Sequence, residues 1–246
     1  MARIPEDPRT FFGKHHYDYA VSSHHARGAD LERLIAGLHA QAPEKAADVA
    51  SGAGHTALKL AQMGLDVTAV DITPEMLEET RRQAEAHGLK IQVSEAPAEA
   101  LPFADQSLDI VTCRRAAHHF TDVRIFLQET FRTLVPGGRL GVSDMTATKE
   151  NAVWLNQLEQ RRDPSHHRAL SPDDWYQALV DTGFDTITIE LSEEPMTLEE
   201  WLSPVAADSP SGREALSFAQ TSEAPAEFIR QGLFIKRRIL IWARRP

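Results

Sequence analysis

Asp48-Val49-Ala50-Ser51-Gly52-Ala53-Gly54-His55-Thr56 decides how the rest of this chain is read. The residues leading into it, Ala46-Ala47-Asp48-Val49-Ala50, are short and apolar, as a buried parallel strand requires. Beyond it, Leu58, Leu60, Ala61 and Met63 line one side of a helix expected to stop at Gly64. A strand, a turn of small residues and a helix make a cradle for a nucleotide-like ligand. Small side chains let the backbone approach closely, and the helix start presents free N–H groups. Taken alone, a glycine turn of this kind is more often a tight turn and nothing else.

The next strand adds weight. Asp66-Val67-Thr68-Ala69-Val70-Asp71 is apolar and β-branched, and it ends in a carboxylate. Asp71 lies roughly 20 residues past the turn, where an acid accepts hydrogen bonds from ribose hydroxyls. The alternative reading of Asp71 is a charge at a helix N-terminus, because Thr73-Pro74 opens a helix with a hydroxyl cap and a proline in the first turn.

Further along, strands and helices alternate. Helix 74–87 ends at Gly88, and Ile91-Gln92-Val93 is a short strand. Asp105-Gln106-Ser107 reads as a turn and Leu108–Cys113 as a central strand. Asp122 caps an amphipathic helix carrying Val123, Phe126, Leu127, Thr130, Phe131 and Leu134, which Pro136-Gly137-Gly138 breaks. Leu140–Met145 is the fifth strand. A helix over 150–162, a loop at Asp163–His167, a helix capped by Ser171-Pro172 and a strand at Thr186–Ile189 follow. Residues 195–228 read as a helical insertion, with Ser209-Pro210-Ser211-Gly212 as a turn. Phe234-Ile235 and Ile239–Trp242 form the last strand. This alternation argues for an α/β fold around a mainly parallel sheet.

At 246 residues and 42% hydrophobic content, the chain is long enough for one well-buried domain. We divide it into an N-terminal segment over 1–42, a core around the glycine turn over 43–145 and a C-terminal half over 146–246; in the terms of the resemblance given below these are a cap, a cofactor-binding core and an acceptor-side half. The net charge of −10 argues against a nucleic-acid partner, whose phosphates want a basic face. A lone cysteine, Cys113, excludes an intrachain disulfide. With no apolar leader and no apolar run of spanning length, the expectation is a cytoplasmic protein without membrane contact, monomeric or homodimeric.

Taken together, these blocks resemble the class I S-adenosylmethionine-dependent methyltransferases of the ubiquinone/menaquinone methylase-like group. The family's acidic-x-Gly-x-Gly-x-Gly motif appears as Asp48–Gly54, with Ala50 in place of the first glycine. That methyl group is accommodated if the backbone angles at Ala50 are ordinary. A second family block appears as Pro97-Ala98-Glu99-Ala100-Leu101-Pro102-Phe103, with Pro97 where an aspartate is usual. Leu108–Cys113, His118-His119-Phe120 and Leu134–Arg139 complete the pattern, and Arg162-Asp163-Pro164-Ser165-His166 extends it more loosely. The resemblance implies a Rossmann-like class I methyltransferase fold: a seven-stranded, mainly parallel sheet in the order 3-2-1-4-5-7-6, flanked by helices. An N-terminal helical cap and the helical insertion before the last strand go with it.

The cofactor implied is S-adenosylmethionine, leaving as S-adenosylhomocysteine, and the partner is a small-molecule acceptor. Candidate cofactor-binding residues are Ala50, Gly52, Gly54, Asp71, Ile72, Met76, Ala98, Glu99 and Arg114. By analogy Asp71 binds the ribose hydroxyls, Ile72 packs on the adenine and Ala98 meets it through its backbone; Arg114 reads equally well as a structural arginine. His119 is the first candidate for a base, since an imidazole takes a proton near neutral pH; a histidine simply hydrogen-bonded in a loop is the competing reading. Arg162 and His166 are further catalytic candidates, in a loop that is otherwise a surface turn. Tyr19 and His25, in an aromatic and histidine-rich N-terminal segment, are weaker ones. Four His-His pairs, at 15–16, 24–25, 118–119 and 166–167, raise the question of metal, but no cysteine motif or H-E-x-x-H helix accompanies them, and no metal site is expected. Two other functions compete: a regulatory protein that binds S-adenosylmethionine or S-adenosylhomocysteine without transferring methyl, and an NAD-dependent oxidoreductase, against which the Ala98–Phe103 block speaks.

Overall fold

The computed structural model describes residues 5–10, 12–13, 28–221 and 223–246. After a short helical stretch over 8–10, the regular chain begins with α1 (Ala29–Leu38), β1 (Lys45–Val49), α2 (His55–Gln62), β2 (Asp66–Asp71), α3 (Pro74–Ala86) and β3 (Gln92–Glu95). It continues through β4 (Leu108–Arg114), α4 (Val123–Thr133), β5 (Leu134–Met145), α5 (Ala152–Arg162), α6 (Pro172–Thr182) and β6 (Asp185–Met196). Last come α7 (Leu198–Leu202), α8 (Pro210–Ala219), β7 (Ile229–Arg230) and β8 (Leu233–Arg244).

The sheet order is β3-β2-β1-β4-β5-β8-β6, with β7 paired to β8 alone. Pairing is parallel from β3 through β5, and β8 runs antiparallel to both β5 and β6. The last long strand thus lies between the fifth and sixth, as the resemblance implies. The two-residue β7 makes eight described strands rather than seven.

Strand side chains alternate between faces, and the core is divided accordingly. Val49, Val111, Cys113, Val142 and Ile241 pack with Phe126 and Leu127 of α4 and Trp175 and Leu179 of α6. On the opposite face Ala46, Val67, Ala69 and Ile110 meet Leu31, Ile35 and Leu38 of α1 and Leu60 of α2. Each large side chain so buried contributes about 1.5–3 kcal/mol. A third cluster joins Leu155 and Leu158 of α5 to Trp201, Leu202, Ala215, Phe228 and Phe234, and this holds the helical insertion to the sheet.

Several elements differ from the sequence reading. β5 begins at Leu134 rather than Leu140, because Leu134 pairs with Leu108 before the register shifts near Ile110; the Pro-Gly-Gly segment lies inside this irregular strand. β6 runs on to Met196, so the insertion starts at Thr197. Its second half carries Glu190, Glu193 and Glu194, charges suited to a sheet edge, which mask the strand pattern. Ser209-Pro210-Ser211-Gly212 is not a free turn but the cap and first turn of α8, with Ser209 Oγ accepting from Gly212 N–H at 3.0 Å. Thr73 makes no side-chain cap on α3; Asp71 Oδ1 instead accepts from Thr73 N–H at 2.9 Å.

Candidate active site

Brought together at the carboxyl ends of β1, β2, β3 and β4, a cavity of about 840 Å³ has one wall from the glycine turn and another from residues that follow β4. Behind the turn, Asp48 ties the strand to its neighbours: it accepts from Ala57 N–H at 3.1 Å and from the Thr112 hydroxyl at 2.8 Å. Burial raises its pKa to about 7, against the pull of those two donors. The turn itself is left-handed at Ala50 (φ +52°), Gly52 (φ +54°) and Gly54 (φ +83°). A Cβ on Gly54 would stand 2.7 Å from the Thr80 side chain, so only glycine fits there. A Cβ on Gly52 would meet nothing within 4 Å. Ser51 Oγ, also in the cavity wall, is buried with no hydrogen-bond partner among the described residues. An orphaned hydroxyl beside open space is what a polar ligand would satisfy.

Asp71 closes the next side. Its Oδ2 accepts from Gly52 N–H at 2.8 Å and its Oδ1 from Thr73 N–H, which binds the glycine turn to the end of β2. Burial raises its pKa, opposed by those backbone donors. Each oxygen retains capacity for a further donor. Ile72, Met76 and Ala98 supply apolar wall, and Glu99 accepts from Thr121 N–H at 2.9 Å. The Ala98–Phe103 loop is held from α4. Arg132 donates to the carbonyls of Leu101 and Phe103, and Glu129 accepts from Leu101 N–H.

Past β4, the wall is formed by Arg114, Arg115, His119, Phe120 and Thr121, with Ser165 and His167 from the loop after α5. Arg114 and Arg115 both fork onto Asp30 of α1, at 2.6 to 3.1 Å. Burial opposes the Asp30 charge, but hydrogen bonding to Arg114 and the two guanidinium charges outweigh it and hold the carboxyl far below its usual range. His118 is buried and bound to Asp144, Nδ1 to Oδ1 at 2.5 Å and N–H to Oδ2 at 2.8 Å. Burial and the neighbouring His119 push His118 well below the usual histidine range, and burial raises Asp144 to about 6. His119 Nδ1 lies 3.1 Å from the Ser165 carbonyl and 3.2 Å from its hydroxyl oxygen, whose own hydrogen goes to Asp163, so a neutral His119 ring places its proton on Nδ1 and its lone pair on Nε2. Phe12 packs edge-on against the His119 ring at 5.0 Å, and Glu6 N–H donates to Pro164 O, bringing the N-terminal residues to this side of the cavity.

A family model described as a methyltransferase domain matches residues 47–142. The uncharacterized methyltransferase YcgJ of Bacillus subtilis is 32% identical over 89% of this chain and 87% of its own length. The chain belongs to the class I S-adenosylmethionine-dependent methyltransferases. The crystal structure of YcgJ superposes with a TM-score of 0.81 at 29% identity, covering 88% of this chain and 97% of that one. A demethylmenaquinone methyltransferase of Thermus thermophilus is 39% identical over 52% of this chain and 60% of its own.

In this methyltransferase the cavity wall includes Ala50, Gly52, Asp71, Ile72, Met76, Ala98, Glu99, Arg114 and His119. Gly54 stands one step back, packed on Thr80. Arg114 touches the cavity, but its guanidinium is engaged by Asp30. Two catalytic candidates lie outside the cavity wall. His166 is buried away from the cavity and bound to Asn156 of α5 through Nε2 at 2.7 Å; burial and the nearby His118 push it well below the usual histidine range. Arg162 also lies outside the wall. It donates to the carbonyls of Leu202 and Ser203 and to Glu159, pinning the helical insertion. Tyr19 and His25 fall outside the described residues. Among those described, no cluster of three or more ligating side chains is placed to hold a metal. Sequence reasoning missed Ser51, Arg115, Ser165 and His167, all in the wall. Ser51 was inside the quoted turn, and Ser165 and His167 flank the candidate chosen in their loop.

Proposed function

We propose that this enzyme transfers the methyl group of S-adenosylmethionine to a small-molecule acceptor, and that the two meet in the 840 Å³ cavity. One observation carries the reading: a single cavity runs from the glycine turn and Asp71 to His119, so a donor site and a basic side chain share one space. Asp71 serves the ribose hydroxyls through its remaining lone pairs, Ile72 and Met76 the flat adenine, and Ala98 the adenine edge by its backbone. The Ser51 hydroxyl takes a further polar group of the cofactor. When bound, S-adenosylmethionine supplies a methyl group on a sulfonium sulfur, which leaves with both electrons of the bond. The protein's part is then alignment and removal of the acceptor's proton. His119 offers an Nε2 lone pair for that proton. A net charge of −10 favours a small acceptor over nucleic-acid phosphates.

Calorimetric titration with S-adenosylmethionine, S-adenosylhomocysteine and NAD in parallel tests the donor half. Saturable binding of the first two without NAD is the expected outcome, and binding of NAD alone overturns it. For the acceptor half, His119→Ala should leave cofactor affinity within a factor of two while turnover falls about 100-fold. Full turnover in that variant removes His119 from the base role.

A further inference from the structure

The loop after α5 does more than close the cavity. Asp163 is buried, and its Oδ1 accepts from both the backbone N–H of Ser165, at 2.9 Å, and its hydroxyl, at 2.6 Å. That double contact fixes the turn whose Ser165 carbonyl receives the Nδ1 proton of His119. The other oxygen, Oδ2, takes no hydrogen bond among the described residues and stands 3.9 Å from His119 Nε2. This is too far for a hydrogen bond, so Nε2 keeps its lone pair in the neutral ring. It is close enough for a strong charge interaction once Nε2 is protonated.

Other groups around His119 do not take this role. On its own segment, the His118 ring lies 4.1 Å away, centroid to centroid, and His166 from the α5 loop 6.5 Å. Both are pushed toward the neutral form by burial. From β5, Asp144 hydrogen-bonds His118 with both oxygens; its charge also reaches His119, as a background that a change at Asp163 leaves in place. Arg115 is held by Asp30, Arg162 of α5 by the insertion, and Glu99 by Thr121 N–H. His167 donates its backbone N–H to the His118 carbonyl and shares the cavity wall, and the Phe12 edge is uncharged. Among the described residues, Asp163 is the carboxylate that stands within 4 Å of His119 Nε2.

We propose that Asp163 is the positioning residue for His119: Oδ1 holds the Ser165 turn that selects the Nδ1–H tautomer, and Oδ2 receives the charge of the proton that arrives at Nε2. The proposal rests on His119 being the proton acceptor. In the step it serves, the acceptor's X–H bond breaks and its proton goes to Nε2. The X lone pair forms the X–CH3 bond, and the S–CH3 electron pair stays on sulfur.

The test is nitrogen-15 and carbon-13 NMR of histidine-labelled full-length protein saturated with S-adenosylhomocysteine, titrated across pH 4–9. The neutral His119 ring should appear as the Nδ1–H tautomer. Asp163→Asn, which keeps shape and removes charge, should move the His119 titration midpoint about one pH unit lower, a tenfold change in proton affinity. A midpoint unmoved by Asp163→Asn overturns the proposal. So does a neutral Nε2–H tautomer in the unsubstituted protein, a measurement that stands even where the variant does not fold. Neither observable needs an acceptor or turnover. They therefore decide the role of Asp163 separately from His119→Ala kinetics, which decide the base.

Discussion

Ala50 shows how much one side chain can hide. Its place in the glycine motif was legible in the sequence, and the methyl group is harmless only with ordinary backbone angles. The structure puts φ at +52°, in the left-handed region, where a Cβ crowds the following carbonyl. The expected consequence is that Ala50→Gly stabilises the protein by about 1 kcal/mol, the relief of strain exceeding the added freedom of the unfolded chain. Urea unfolding at neutral pH measures it, and a lower midpoint at unchanged slope would contradict the strain argument. Asp71 was readable as a strand-end acid beside the turn, and its carboxylate holds both Gly52 N–H of the turn and Thr73 N–H at the start of α3. His166 and His167 were not separable. Which of two neighbours in a loop faces a cavity depends on Asn156 of α5, whose Oδ1 takes both His166 Nε2 and Ala169 N–H, and no local pattern announces that contact.

Among elements, the parallel core strands were easy to read, because burial on both faces favours short runs of apolar and β-branched residues such as Val67–Val70. The edge was harder. β6 alternates with glutamates, and α8 opens on a Ser-Pro-Ser-Gly tetrad that imitates a turn. Yet Ser171-Pro172 carries the same start signal as Ser209-Pro210, and both serine hydroxyls cap their helices. The insertion is joined to α5 through Arg162. Its guanidinium serves two carbonyls at the end of α7 and Glu159, and Glu159 in turn accepts from the Trp201 indole N–H at 2.9 Å. Arg162→Ala leaves Glu159 without a buried cationic partner and two carbonyls short of a donor. A loss of about 2–3 kcal/mol in unfolding free energy is expected. Cofactor affinity should be unchanged, since Arg162 is absent from the cavity wall. A large loss of S-adenosylhomocysteine binding in a folded Arg162→Ala protein would return this residue to the active site.

Across the whole molecule, the cavity is where distant parts of the chain meet: Pro5–Arg9 with Phe12, the glycine turn, the end of β2, the loop after β3, the segment after β4 and the loop after α5. A ligand that touches several of these at once binds the folded chain and not the unfolded one, so it stabilises all of them together. At a free concentration of 100 times its dissociation constant, S-adenosylhomocysteine should add roughly 2.7 kcal/mol. For a chain of this length that raises the melting temperature by roughly 5–10 °C. NAD at the same concentration should leave it unmoved. Asp71→Ala removes the carboxylate that joins the glycine turn to β2 and that we propose serves the ribose. Losing hydrogen bonds to a charged group weakens binding by about 1–3 kcal/mol, so at that same ligand concentration the rise should shrink by roughly a third to nine-tenths. Thermal melts of both proteins with and without ligand decide the matter. Equal shifts in the two would mean that the ligand is held without Asp71, and that the pocket at the end of β2 is not where the ribose lies.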